Sequence, residues 1–313
     1  VYGPPGFLYQ ERGRRFIYLY RKNFFIAVGI FLCGCAGRQT AISDRPLSPA
    51  SPAANAAVLN KEAETLWAQR SDPQKARQSL EAYRRVYAAN PDKAVGTSLS
   101  RAYYFAGYYV ETDPAAQDSL FLRGAEIGER VLSLDQNFRM TYLKTRDDRR
   151  ALATLDASWT AAIYWTAANL ERWTSSKSMW VRYGNKGRVE IYMTRVRELD
   201  PNFYYGAPYR FFGVLPTRGR APFVHLDDAK REFDKAVEIA PNFLGNKRLY
   251  AETYAVKKKD RALFARLLNE AVAARIDKAS ESAPENKYEQ ARAQKLLAEI
   301  DRYFKNDDKK EKK

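Results

Sequence analysis

Few side chains of this 313-residue chain could make or break a bond. There are two cysteines, Cys33 and Cys35, and a single histidine, His225. One imidazole can assemble neither a histidine metal cluster nor a histidine-based triad, and no Gly-rich phosphate loop, His-Glu-x-x-His or nucleophile elbow occurs. Carboxylates stand in pairs at Asp147-Asp148 and Asp227-Asp228. Adjacent residues on a helix diverge by about 100°, and the second pair lies where a helix start favours negative charge. It reads as capping, with His225 before it in a capping or surface role. No catalytic residue, metal site or cofactor is expected. What remains is aromatic and basic chemistry. Trp159 and Trp165, with Tyr204, Tyr205, Tyr209 and Arg210 beside Phe211 and Phe212, could form a ligand or partner surface, since Tyr and Arg combine large contact area with a polar handle. The competing reading is structural: the tryptophans fill volume, Tyr205-Gly206 turns the chain, and Phe211 and Phe212 begin the next helix's core.

The cysteines belong to the amino-terminal address. Arg14, Arg15, Arg21 and Lys22 precede FFIAVGIFLCGC, an apolar run of about a dozen residues, too short for a span that needs about 20. Leu32-Cys33-Gly34-Cys35 resembles the bacterial lipobox, with Cys35 as the residue to be diacylated and to become the new amino terminus. The region before the apolar run is longer than a signal requires, which points to an upstream or alternative start. The expected organisation is therefore a lipoprotein signal over 1–34, a flexible lipidated tether over 35–58 rich in Pro, Ala and Ser, a helical domain over 59–304 and a disordered charged tail over 305–313. Ala36 after Cys35, rather than Asp, matches the convention for sorting to the outer membrane. The net charge of +16 can promote non-specific association with polyanions. An export signal conflicts with a nucleic-acid role, so no nucleic-acid partner is expected.

The elements that position the aromatic groups are helices. Between Asp227 and Ala240, Ala229, Phe233, Ala236, Val237 and Ala240 follow three-and-four spacing on one face, and Pro241 ends the helix. Similar patterns run from Leu59 to Trp67, Ala76 to Tyr87, Leu99 to Val110, through 115–134, and from Glu285 to Phe304 as a closing helix. In the Trp-rich stretch, Trp159, Ile163, Leu170 and Trp173 share a face from which Trp165 points away, so the helix runs through the middle of the array or lines a cavity with one face. Exits at Asn90-Pro91, Gln136-Asn137-Phe138, Pro201-Asn202-Phe203 and Pro241-Asn242-Phe243 lie about 46, 65 and 40 residues apart, as in divergent repeats with insertions. The fold class is all-α: a right-handed stack of antiparallel helix pairs, a tetratricopeptide-like α-solenoid. The alternative is an irregular all-helical domain.

With these residues in view, the segment from Trp159 through Ala274 resembles the T-component family of tripartite periplasmic (TRAP-type) transporters, periplasmic helical lipoproteins with tetratricopeptide-like repeats. The resemblance is carried by the Trp-rich helix at 159–173, RVRELDPNFYYGAPYRFFGVLP at 195–216, DAKREFDKAVEIAPNFL at 228–244 and NKRLYAETYAVKKKDRALFARLLNEAV at 246–272. After the Leu-Pro the family carries Gly-Gly; here Ala221-Pro222-Phe223-Val224-His225 stands instead, which bears on the turn geometry. The resemblance implies a non-catalytic periplasmic lipoprotein, anchored to the membrane by its lipid, whose partner is a periplasmic solute-binding protein of a TRAP-type transporter. The solute and any homo-oligomeric state stay open. The other function considered is a scaffold lipoprotein of another cell-envelope complex.

Overall fold

Many of the helix starts are set by a short acid placed one residue outside the helix. Asp72 accepts the backbone N–H groups of Gln74 and Lys75 at 2.7 and 3.1 Å, and Pro73 fills the first turn, where its missing donor is not needed. Those two bonds hold the Asp72 carboxyl below its ordinary range. Asp113 before Pro114 repeats the device, and Asp92, Asp135, Asp147 and Asp260 cap without the proline. The structure is a computed structural model that describes residues 38–44, 56–218 and 225–304. The chain divides into two units, Val1–Thr40 and Ala41–Lys313. The first is described only at residues 38–40, which have no regular structure; all that follows concerns the second.

Regular structure among the described residues is entirely helical. In order come α1 (Ala56–Ala68), α2 (Pro73–Ala89), α3 (Lys93–Phe105), which runs on into a π-helical turn (Ala106–Val110), α4 (Pro114–Leu132), α5 (Gln136–Thr145) and α6 (Asp148–Leu152). Then follow α7 (Thr160–Ser175), α8 (Met179–Leu199), α9 (Phe203–Val214) and α10 (Leu226–Ile239). α11 (Leu244–Leu249) passes through a second π-helical turn (Tyr250–Ala255) into Val256–Lys258, before α12 (Arg261–Ala273), α13 (Ala283–Ala298) and α14 (Ile300–Tyr303). Neighbours in sequence pack as pairs: α1 on α2, α3 on α4, α7 on α8, α9 on α10 and α12 on α13. This is an α-solenoid-like succession.

One core runs from α1 to α9, with Phe138, Ile163, Leu170 and Tyr192 fully buried; a second joins α10 to α14 around Phe233, Phe264 and Leu268. α7 is buried on nearly its whole circumference, in keeping with its two apolar faces, and packs on α3, α4 and α8 at once. Its approach to α4 needs Gly124 and Gly128. A Cβ on either would overlap the side chain of Asn169 or Thr166 across the interface. At this contact Asn169 Nδ2 donates to the Ser100 carbonyl at 2.9 Å, and Ser100 Oγ donates to the Gly124 carbonyl at 2.9 Å. Three helices are thereby tied by buried polar bonds.

The sequence pattern missed α5 and α6. Gln136-Asn137-Phe138 reads as a helix exit, but Asp135 accepts from Phe138 N at 2.8 Å and opens a new helix there. Arg146, with φ 54°, makes the left-handed turn into α6. The expected signal (1–34), Cys35, most of the tether and the tail (305–313) lie outside the described residues. No helix among the described residues is long and apolar enough to cross a membrane.

Candidate functional site

The most unusual backbone among the described residues is the start of α9. Tyr204, Tyr205 and Gly206 all adopt left-handed angles, with φ of 44°, 62° and 74°. Glycine does this freely, but two consecutive tyrosines do so only when their surroundings hold them there. Arg210, one turn on, supplies the hold. Its Nη1 donates to the Tyr205 carbonyl at 3.1 Å and to Asn246 Oδ1 at 2.5 Å, and its Nη2 to the Tyr204 carbonyl at 3.3 Å. Asn246, fully buried, donates in turn to the Ala236 carbonyl at 2.7 Å and to the Tyr205 carbonyl at 3.2 Å. Phe243 closes the knot, with the Tyr205 ring stacked on it at 4.7 Å and the Arg210 guanidinium at 4.8 Å.

The turn aims Tyr204 inward, beside Trp165 at 4.8 Å and Tyr164 at 5.5 Å. Tyr204 and Tyr164 border a cavity of about 340 Å³. Tyr104, Tyr108 and Tyr109 from α3 and its π turn, Glu171 and Arg172 from α7, Leu249, Glu252 and Thr253 from α11 and its π turn, and Glu289 from α13 complete most of the lining. Both π turns among the described residues therefore contribute to this cavity. The extra residue in such a turn re-aims side chains, and π turns recur where a helix serves a site. A second cavity of about 630 Å³ shares Tyr108, Arg172, Leu249 and Glu252, and adds Arg248, Arg292 and Lys295.

Charge in this region is concentrated on Tyr108. The guanidinium groups of Arg172 and Arg292 each lie 4.2 Å from its ring centroid, close enough for cation–π attraction, and Arg248 Nη2 donates to its hydroxyl at 2.7 Å. Arg248 also binds Glu289 and Glu252, and Tyr109 donates to Glu289 Oε1 at 2.9 Å. Burial works against charge on Glu289 and Glu171, yet their arginine partners hold both carboxyls below the ordinary range. Burial pushes the phenols of Tyr104, Tyr109, Tyr164 and Tyr204 upward, reinforced at Tyr109 by Glu289 and at Tyr204 by Glu285. At neutral pH the lining thus presents neutral phenols, ionised carboxylates already bonded to arginine, and guanidinium groups over aromatic faces.

A further ion cluster ties α13 to the first helices. Glu285, fully buried, accepts from Arg70 Nη2 at 2.8 Å, from Arg70 Nε at 3.3 Å, from the Tyr204 hydroxyl at 3.2 Å and from Arg101 Nη2 at 3.5 Å. Arg101 extends to Glu281 at 2.9 Å. The Tyr204 hydroxyl is thus set by the same carboxylate that joins both ends of the helical unit.

Of the residues singled out in the sequence, the fold brings Trp165, Tyr204, Tyr205 and Arg210 together. Arg210 lines the first cavity with its donors engaged by the turn. Trp159 lies apart, in a short 3-10 turn before α7, under Lys93 Nζ at 4.0 Å. Tyr209 faces Arg197, whose guanidinium is 4.9 Å from its ring. Sequence reasoning overlooked Arg172, Arg248, Glu285 and Glu289. The available signal was charge on otherwise apolar helix faces, such as Glu285 and Glu289 one turn apart on α13. Among the described residues, no group of three His, Cys, Asp or Glu could hold a metal ion.

A family model for the TRAP transporter T-component matches residues 72–304, from the cap of α2 to the end of the last helix. Comparison with curated proteins finds no match.

Proposed function

The chain belongs to the TRAP transporter T-component family, an accessory component of these transport systems, and from that premise we propose that it is a non-catalytic lipoprotein that binds the system's periplasmic solute-binding protein. In this reading Cys35 carries the lipid, the anchor holds the helical body at the periplasmic face of the outer membrane, and the helix pairs are divergent tetratricopeptide-like units. The observation that carries it is the family match over residues 72–304, which take in α2 to α14, the two π turns and the Tyr204 turn. The cavity lining supports it. Its carboxylates are committed to arginines and its phenols stay neutral, a set suited to holding a solute and not to converting one. Stacked helix pairs also present the extended surfaces by which such arrays grip other proteins.

The test is affinity purification of the tagged chain from detergent-solubilised membranes with mass spectrometry of what is retained. Recovery of a solute-binding protein together with a diacylated Cys35 peptide is expected. Recovery of envelope-assembly factors alone would transfer the chain to the scaffold reading.

A further inference from the structure

The chain is pinned to its helical body well before α1 begins. Ala41 donates its backbone N–H to Glu129 Oε2 at 2.7 Å, and Ile42 beside it is 4% exposed within the main core. Glu129, fully buried, accepts from Arg188 Nη1 at 2.7 Å on its other oxygen, and Arg188 Nε donates to Asp148 Oδ1 at 3.0 Å. These contacts seat Ala41 and Ile42 at a corner shared by α4, α6 and α8. A free tether would leave the body's orientation open, whereas a buried isoleucine and a bonded amide define one.

α5 adjoins this corner, with the Arg188 guanidinium 5.9 Å from the Tyr142 ring centroid, and the exposed side of α5 and α6 is basic. Lys144, Arg146, Arg149 and Arg150 are exposed, and Met140, one turn before Lys144 on the same face of α5, is 57% exposed. Against these stand Asp147, which pairs with Arg150 at 3.3 Å, and the exposed Asp44; Asp148 is engaged by Arg188. Cationic side chains therefore outnumber carboxylates around an exposed, adaptable thioether. Five residues lie between Cys35 and Ala41, a length of chain that reaches at most about 20 Å.

We propose that this corner, formed by α5 and α6 around the pinned segment, rests on an anionic phospholipid surface and sets the orientation of the body on the membrane. The inference rests on acylation of Cys35 for its lipid anchor, while the surface itself is defined by the described residues alone. A short tether raises the local concentration of the corner at the headgroups to the millimolar range, so contacts too weak to act alone become populated. Each basic side chain close to an anionic surface is worth about a fivefold change in partition.

The two parts are separable by experiment. The mature chain from residue 35 carrying Cys35→Ser, which lacks the signal and cannot be acylated, is sedimented with vesicles of phosphatidylcholine alone or with equal phosphatidylglycerol. Binding to the anionic vesicles only, abolished by 0.5 M salt and lowered about a hundredfold by Lys144→Gln/Arg149→Gln/Arg150→Gln, is expected. Equal binding to both vesicles, or no effect of the triple change, overturns the proposal whatever the state of Cys35. The mass of the Cys35 peptide from native membranes reports the anchor independently, so its failure is told apart from failure of the surface. With the acylated chain in anionic vesicles, a fluorophore on Met140→Cys is quenched by spin-labelled lipid and one on Arg266→Cys of α12 is not. Equal quenching at both positions refutes the orientation. If the triple variant loses a co-purifying protein but keeps its lipid binding, the corner is a protein contact and the proposal falls.

Discussion

Changing Glu285 to Gln removes almost no volume, yet it takes the shared counter-charge from two arginines. Arg70 is 3% exposed and Glu285 is 0% exposed. Arg70 also donates to the carbonyls of Trp67 at 3.3 Å and Glu281 at 2.6 Å, which cannot neutralise it. Arg101 keeps Glu281, whose carboxylate is largely in water. Breaking one side of a buried pair typically costs about 3–5 kcal/mol, because a charge is left in low dielectric without compensation. In a body of this size that corresponds to a fall in Tm of roughly 6–20 °C. The control is Arg84→Gln at the exposed Arg84–Glu81 pair, 44% and 61% exposed at 2.8 Å, where screening leaves less than about 1 kcal/mol to lose. Urea denaturation of both variants, followed by circular dichroism, gives the comparison. A Glu285→Gln loss no larger than that of Arg84→Gln would refute the reasoning, since α13 would then not depend on Glu285 to reach the first helices. A coupling between Arg70→Met and Glu285→Gln above about 1 kcal/mol is expected in the double-variant cycle.

Glycine replacements on two helices should act with opposite signs. Gly128→Ala gains about 1 kcal/mol of helix propensity, but its Cβ meets both the side chain and the backbone of Thr166; the α4–α7 contact must open, and a net loss of about 1–2 kcal/mol is expected by urea titration. Gly184→Ala on α8, with open space at the same position, should stabilise by up to about 1 kcal/mol. Asn246→Ala leaves Arg210 without its side-chain acceptor and should cost about 2–3 kcal/mol, with a gain in proteolysis near the Tyr204–Gly206 turn as the companion readout. Burial pushes the Tyr83 and Tyr87 phenols up to about 12, above about 10 in the unfolded chain. The stabilisation from keeping them neutral is complete below pH 10 and is lost as pH rises toward 12. Urea midpoints should therefore fall between pH 10 and 11.5, with phenolate absorbance at 295 nm rising in step with unfolding, and Tyr83→Phe/Tyr87→Phe should flatten the decline.

Much of the helical architecture was written locally. Asp72-Pro73 announces a helix start because a carboxylate and the amides it caps lie within three residues, and the spacing of Ala229, Phe233 and Ala236 announces a buried face because the helix repeat is fixed by covalent geometry. Asp135 carried the same signal, but the Gln-Asn-Phe that follows masked it, and α5 and α6 went unread. The aromatic wealth of 159–173 foretold a helix buried on more than one side, and it is. The family was legible for the same reason, since its marks are contiguous runs such as RVRELDPNFYYGAPYRFFGVLP.

What the residue order alone determined, then, was every feature whose cause and effect lie within one or two helical turns: the caps, the apolar faces, the aromatic helix and the sparse reactive chemistry. The tertiary structure decided which charges meet. Glu285 finds Arg70 across 215 positions, Arg248 finds the hydroxyl of Tyr108 across 140, and Ala41 finds Glu129 across 88. A buried charge is stable only beside its counter-charge, and which one it reaches depends on where the packing of helices delivers it. The left-handed angles of Tyr204 and Tyr205 belong to the same class. Each is unfavourable by itself, and they persist because Arg210, Asn246 and Phe243, brought from elsewhere in the chain or from the next turn, close around them.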